Sequence, residues 1–462
     1  MSASLGGGRD TARQLRRAVH QLLRRAWDDL AALVCLESVA DQEPRHAAAC
    51  QEAARLVAGL FEAAGVPDAA LHATPDNSQA VIGRAPAPRG APTVLLYSHY
   101  DVQPAELGGW HTPPFRLTES GGRWHGRGAA DCKGNIVAQL TALRALGGTG
   151  FPVGVVVVAE GSEEQGTGGL EAFVAANPDL VRADAVLVCD AGNIAAGTPT
   201  VTTALRGITD VTVRVDALSR PVHSGVFGGP APDALAALIQ ILSSLRDEQG
   251  NTTVRGLDSS QTWDGASYPE DRFRADAGVL DGVRLLGDGT VADMLWARPA
   301  VTVLGIDCPR IAGAPPAAQA SASALVSLRI PPGMGAAGAQ DKLAAHLIAA
   351  APWGVRVTVE RDMPGAPFTA RTGGPAYRVL AGAMKDAYGT DMVRAGDGGS
   401  IPLCEVFQRT LPEAEIAIIG VEDPLAAIHG PDESADPSEI AGMALAVALF
   451  LRRFGGGDDG DG

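Results

Sequence analysis

The chain has 462 residues, more than one hydrophobic core usually supports, so two domains are expected. Apolar residues make up 46% and charged residues 19%, the balance of a packed globular protein rather than a disordered one. A formal net charge of -16 argues against nucleic acid as the main partner, since phosphate binding needs clustered Lys and Arg.

The N-terminal stretch spreads Arg13, Arg16, Arg17, Arg24 and Arg25 among Leu and Val and predicts an amphipathic helix. It lacks the apolar core and small-residue cleavage site of a signal peptide. Gly6 to Gly8 and Gly455 to Gly462 read as frayed tails, the second as a disordered C-terminal tail. No window approaches the length of a membrane span. The cysteines Cys35, Cys50, Cys132, Cys189, Cys308 and Cys404 show no C-x-x-C pair and no disulfide framework, so a reducing compartment and a cytoplasmic location are expected.

Further along, Gln51 to Ala64 and Gly134 to Leu146 predict helices, the second with Ile136, Leu140 and Leu143 on one face. Thr93 to Tyr97, Gly154 to Ala159, Ala185 to Cys189 and Ile416 to Ile419 are short apolar runs that predict fully buried strands. Buried strands separated by helices imply an α/β fold with a mixed, mainly parallel sheet flanked by helices. The middle of the chain changes character. Asp210 to Val215 and Ala324 to Ile330 alternate like half-exposed strands. A helix Asp233 to Leu245, a helix near Gln340 to Ala349 and a strand Val355 to Glu360 accompany them. This pattern predicts a smaller α+β insertion over 205–364, splitting a larger domain made of 1–204 and 365–462.

The candidate chemistry lies just past the buried strands. His99 and Asp101 follow the first; Glu163 and Glu164 sit in a glycine-rich turn after the second; Asp190 follows the third; His429 lies in the loop after the last. Asp131 stands at the start of the helix between the first two strands. Ligands of open α/β sheets bind beyond the carboxyl ends of the strands, so these side chains are expected to share one cleft. Two imidazoles and several carboxylates suit Zn²⁺, with Mn²⁺ or Co²⁺ as alternatives. The candidates are too many for one tetrahedral ion and suit two, which at about 3.5–4 Å separation share one carboxylate. Taken singly, Asp131 reads as a helix N-cap, Glu163-Glu164 as a solvated turn, and His99 as a hydrogen-bonded strand-end histidine. Those readings require separate coincidences at several strand ends. The stretch Gly161 to Gly169 lacks the Walker lysine and is not expected to bind nucleotide.

From about His99 to Glu433, these motifs resemble the co-catalytic zinc metallopeptidase family of carnosine dipeptidase, bacterial dipeptidases, aminoacylase and glutamate carboxypeptidases. The dipeptidase branch is the nearest. The resemblance implies that His99 and Asp190 hold one ion, Glu164 and His429 the other, and Asp131 bridges them. It makes Asp101 the orienting partner of His99 and Glu163 the general base, with a cis peptide at Asp131-Cys132. It also makes the insertion a ferredoxin-like lid and dimerisation domain, and 1–204 with 365–462 the catalytic domain. In Arg220-Pro-Val-His223-Ser-Gly-Val-Phe-Gly-Gly229, His223 is implied to stabilise the oxyanion in the partner's site. Arg329 and Ser400 match positions that bind the substrate's C-terminal carboxylate. Asp190, where acylases tend to carry Glu, favours hydrolysis of dipeptides or other short substrates with a free carboxylate. The alternatives are an N-acyl or N-carbamoyl amino acid hydrolase and a non-catalytic binding protein; an intact Glu163 argues against the latter. Two departures fall near the substrate: Gly396-Asp397 where relatives often carry Arg-Glu, and Pro315 to Gln319 before the Arg329 strand.

Overall fold

The structure is a computed structural model that describes residues 4–456 apart from 42, 106–107 and 148–149. Residues 457–462, most of the expected C-terminal tail, lie outside the described residues. The chain divides into two compact units, Met1–Thr203 with Ala370–Ala395 and Pro402–Gly462, and Ala204–Thr369 with Gly396–Ile401. Ser400, which the sequence reading leaves with the larger domain, thus belongs to the second unit.

In the first unit the central strands Gly154–Glu160, Thr93–His99, Ala185–Cys189 and Glu415–Ile419 lie side by side and parallel. Antiparallel strands flank this core: Gln79–Ala85 on one side, followed by Ala70–Ala73, and Thr200–Leu205 on the other. The runs Val94-Leu-Leu-Tyr97 and Val155-Val-Val-Val158 are buried on both faces, as a covered parallel sheet requires. Lys133–Ala145 packs against Ser4–Val34 and Pro437–Phe454, so nearly all its length is buried rather than one stripe. Each fully buried Leu or Ile there, such as Leu140, contributes about 1.5–3 kcal/mol.

One expectation is corrected. Gly6 to Gly8 do not fray but lie within the helix Ser4–Val34. Leu15, Val19, Leu30 and Leu33 bury the following turns, and a helix anchored in this way extends at the gain of one hydrogen bond per added residue. Among the described residues, no helix is long and apolar enough to cross a membrane.

The second unit carries a four-stranded antiparallel sheet in the spatial order Ala300–Asp307, Ser321–Ile330, Gly207–Asp216, Arg356–Arg361. With helices Ala234–Ser243 and Ala336–Ala349 the chain runs βαββαβ, the ferredoxin-like arrangement. Alternation decides which face is buried. Val211, Val213, Val215, Ala324, Val326 and Leu328 pack with Leu238, Ile241, Leu343 and Leu347 from the helices. The stretch between Leu245 and Ala300 looks irregular in sequence, yet it folds around an aromatic cluster. Trp263 meets Trp296 edge-on at 5.3 Å and Tyr268 stacks on Trp296 at 6.0 Å.

Candidate metal centre

Parallel pairing sets the site. The register aligns His99 with Glu160 and Val188 with Ile418, so neighbouring strands end at one edge of the sheet. Beyond it, the Tyr100 N–H donates to the Glu160 carbonyl at 2.8 Å and the Asp190 N–H to the Ile419 carbonyl at 3.0 Å. Gly161 then turns the chain: a Cβ there would lie 2.2 Å from the Tyr100 hydroxyl oxygen. The turn Glu163–Gln165 follows, and buried Asp101 accepts from the N–H groups of Glu163 at 3.2 Å and Glu164 at 3.0 Å.

Asp131 stands at the centre. Its Oδ1 lies 2.9 Å from His99 Nε2 and its Oδ2 3.0 Å from His429 Nε2. A second carboxylate faces each ring: Asp190 Oδ1 is 3.0 Å from His99 Nε2, and Glu164 Oε2 is 3.2 Å from His429 Nε2. His99 Nδ1 turns the other way, 3.1 Å from the Asp101 carbonyl and 3.4 Å from its Oδ1, which fixes the ring. The peptide bond Asp131-Cys132 is cis. Thus His99, Asp101, Asp131, Glu163, Glu164, Asp190 and His429 gather beyond one edge of the sheet. The nitrogen and oxygen donors of Asp131, Glu164 and His429 lie within 4.8 Å of one another, as a metal ion requires. His99 and Asp190 come as close to Cys132.

Sequence reasoning missed several participants. Glu422, just past the strand Glu415–Ile419, offers a carboxylate within 4.8 Å of Asp131 and Asp190. Its place beyond a buried strand was the available signal. Gln103 donates to Glu164 Oε2 at 2.8 Å. Arg127 and Glu433 form a buried pair at 2.7 Å. The Glu433 carboxylate accepts from the N–H groups of Gly128, Ala130 and Asp131 at 2.9–3.0 Å. The guanidinium donates to the carbonyls of His429 and Gly430, both at 3.2 Å. One ion pair therefore ties the Asp131 turn to the His429 loop, although the two are 298 residues apart. Only the fold shows such a link.

The electrostatics are those of a site short of positive charge. Burial pushes the Glu163 carboxyl up to about 9, and Asp190 adds to the shift. Burial also raises Asp190, reinforced by Asp131 and Glu164. Hydrogen bonds to Asp131 and Glu164 lift His429 to about 10. For Asp131, burial opposes ionisation but the hydrogen bonds from both imidazoles win and hold it below the usual range. Clustered carboxylates that resist ionising, facing two basic rings, form a donor set that divalent cations satisfy.

The other expected residues lie in the second unit. His223 precedes the short helix Ser224–Phe227, is exposed, and accepts on Nδ1 from the Gly225 N–H at 3.1 Å. Arg329 pairs with Ile208 in the sheet and is half-buried, as is Ser400.

Imidazoles and carboxylates converging beyond a parallel sheet define a metal-binding α/β protein. Residues 95–453 match the model of peptidase family M20/M25/M40, and the chain belongs to that family. It is 46% identical over 420 residues to the cysteinylglycine-S-conjugate dipeptidase of Corynebacterium striatum, covering 89% of this chain and 92% of that one. It is 28% identical over 417 residues to the Beta-Ala-His dipeptidase of Rattus norvegicus, covering 84% and 81%. Among solved structures, human carnosine dipeptidase 1 superposes with a TM-score of 0.79 at 23% identity, covering 96% of this chain and 98% of that one. The di-peptidase Dug1p of Saccharomyces cerevisiae gives 0.80 at 23% identity, with the same coverage. At that identity the two superpositions speak for the fold alone.

Proposed function

We propose that this chain is a metal-dependent dipeptidase, hydrolysing the amide bond of dipeptides that end in a free carboxylate. Cysteinylglycine and its S-conjugates are its first candidate substrates. The observation that carries the reading is the placement of Asp131, whose two oxygens face His99 and His429 while Asp190 and Glu164 complete the two halves. The 46% identity to a cysteinylglycine-S-conjugate dipeptidase supports the substrate class.

In this reading His99, Asp190 and Asp131 would hold one divalent ion, and Asp131, Glu164 and His429 the other. Zn²⁺ suits the donor set, with Mn²⁺ or Co²⁺ as alternatives. When bound, the ions supply Lewis-acid charge and lower the pKa of water to about 7. The chain's own residues do the rest. Asp101 holds both the His99 ring and the backbone of the Glu163 turn. Glu163 takes a proton from the attacking water and returns it to the leaving amine, which must depart neutral. Burial and Asp190 raise this carboxyl, and the positive charge of bound cations would oppose that rise. His223 accepts on Nδ1, so its neutral ring carries the proton on Nε2, ready to donate to an oxyanion. Arg329 and Ser400 bind the substrate's carboxylate.

A homodimer through the second unit brings His223 of one protomer to the cleft of the other. Exposed Val226 and Phe227 beside His223, and Val303, Leu304 and Ile306 on the edge strand Ala300–Asp307, support that assembly. The six unpaired cysteines support a cytoplasmic location. Turnover of cysteinylglycine beside a panel of N-acetyl and N-carbamoyl amino acids tests the function: cleavage of the dipeptide is expected, and exclusive cleavage of the acyl or carbamoyl set would contradict it.

A further inference from the structure

We propose that Arg206 is a second guanidinium of the carboxylate subsite, acting with Arg329 and Ser400 to make the enzyme require a free C-terminal carboxylate. The inference rests on the dipeptidase reading for the identity of the ligand, but the site itself stands on the second unit's own geometry.

Arg206 joins the strands Thr200–Leu205 and Gly207–Asp216 and is only 9% exposed. Its Nε is enclosed with no acceptor, and among the described residues its side chain makes no hydrogen bond or ion pair. A buried donor left without an acceptor destabilises a fold, more so on a charged group, so such a guanidinium is normally paired. Of its charged neighbours, the stronger influence is one of the same sign. Arg329 sits opposite Ile208, two residues beyond Arg206. Burial and the nearby Arg329 charge together pull Arg206 down to about 10.

The surrounding backbone keeps this place open. The Arg206 N–H donates to the Asp397 carbonyl at 3.2 Å, which sets the Gly396–Ile401 loop beside it. A Cβ on Gly398 would lie 2.7 Å from an Arg206 guanidinium nitrogen, so glycine leaves the fork clear. A Cβ on Gly365 would lie 3.3 Å from Ile208 Cγ2 and 3.8 Å from Ser400 Oγ, which places the Ser400 hydroxyl over the same patch. The carboxylate that raises Arg206, Asp397, is exposed and turns Oδ1 to the Gly399 N–H at 2.6 Å. Two adjacent guanidiniums, one with unused donors, beside a hydroxyl and a glycine loop, have the composition of a planar anion site. The substrate's α-carboxylate is the anion that the proposed reaction supplies.

The test compares wild type with Arg206→Gln and Arg206→Lys, all metal-loaded, on cysteinylglycine and cysteinylglycinamide. Wild type should prefer the acid. Arg206→Gln should lower the acid-to-amide ratio of kcat/KM by about tenfold to a hundredfold, through KM more than kcat, as loss of a charged hydrogen bond implies. Arg206→Lys, which keeps the charge without the fork, should fall between. It carries the test if the Gln variant does not fold. Calorimetric binding of N-acetylglycine against N-acetylglycinamide needs no turnover and separates the two ideas. A wild type that binds the acid yet cleaves no dipeptide would sink the dipeptidase reading and leave the subsite standing. A folded Arg206 variant that keeps the full acid preference in turnover and binding would overturn the subsite.

Discussion

His99 ends a strand buried along its length and is itself buried, whereas the His429 side chain is 53% exposed on an irregular loop. In that loop Ala427, His429 and Asp432 all have φ between 52° and 61°, a region that side chains other than glycine enter at a cost. Both rings nonetheless reach the same carboxylate at nearly equal distance. The sheet register holds the first. The Arg127–Glu433 pair and its bonds to the His429 and Gly430 carbonyls hold the second, with Arg123 bridging Asp423 and Ser434 beside it. One half of the centre is therefore built by the register of the parallel sheet and the other by a buried ion pair.

Glu163 belongs to neither half, which gives the largest expected effect. Glu163→Gln should lower turnover by about 10²–10⁴-fold while both ions stay bound, read by steady-state kinetics and metal analysis. Loss of an ion as well would make Glu163 a ligand. Next comes the clamp. Arg127→Met leaves Glu433 buried without its partner and should cost about 3–5 kcal/mol in urea denaturation. Under mild chelation the variant should lose the ion on the His429 side first; equal loss from both halves would break the comparison. His99→Ala should destabilise the metal-stripped protein by about 1–3 kcal/mol, because buried Asp190 and Asp131 lose a partner. His429→Ala, at the exposed ring, should cost less, and thermal melts of the two variants decide.

The smallest effect is a pH trend. In metal-stripped protein His429 titrates at about 10 against an unperturbed 6.5. A raised folded pKa means its stabilisation is complete below 6.5 and is lost as pH rises through about 10. Glu163, raised from 4.5 to about 9, acts in the same direction, while the depressed Asp131 matters only in acid. The stripped protein should therefore melt at progressively lower temperature from pH 6 to 10. Metal-loaded protein should show a flatter trend, since ions replace the protons.

Much of the strand half was legible in the sequence. Buried apolar runs predict parallel strands, strand ends predict the cleft, and His99, Asp131, Glu163, Glu164 and Asp190 all fall where that logic points. His429 follows from the same rule, in the loop after the last buried strand, although nothing local announces its left-handed backbone. The clamp was invisible, because Arg127 and Glu433 have no periodicity or shared motif and meet only when the last strand's loop returns to the Asp131 turn. Glu422 could have been read by the strand-end rule that found Asp190. Gly396–Ile401 sits outside the insertion in chain order, and only tertiary contacts assign it and Ser400 to the second unit. Arg206 passes for an ordinary residue between strands until its burial and missing partners are seen.

The shared carboxylate is tested most directly by counting ions in purified wild type and in Asp131→Ala, with His99, Asp190, Glu164 and His429 intact. The expected result is about two ions per chain in wild type and none retained through dialysis in the variant. A wild type saturating at one ion, or an Asp131→Ala variant that still holds two, would contradict a centre built on Asp131.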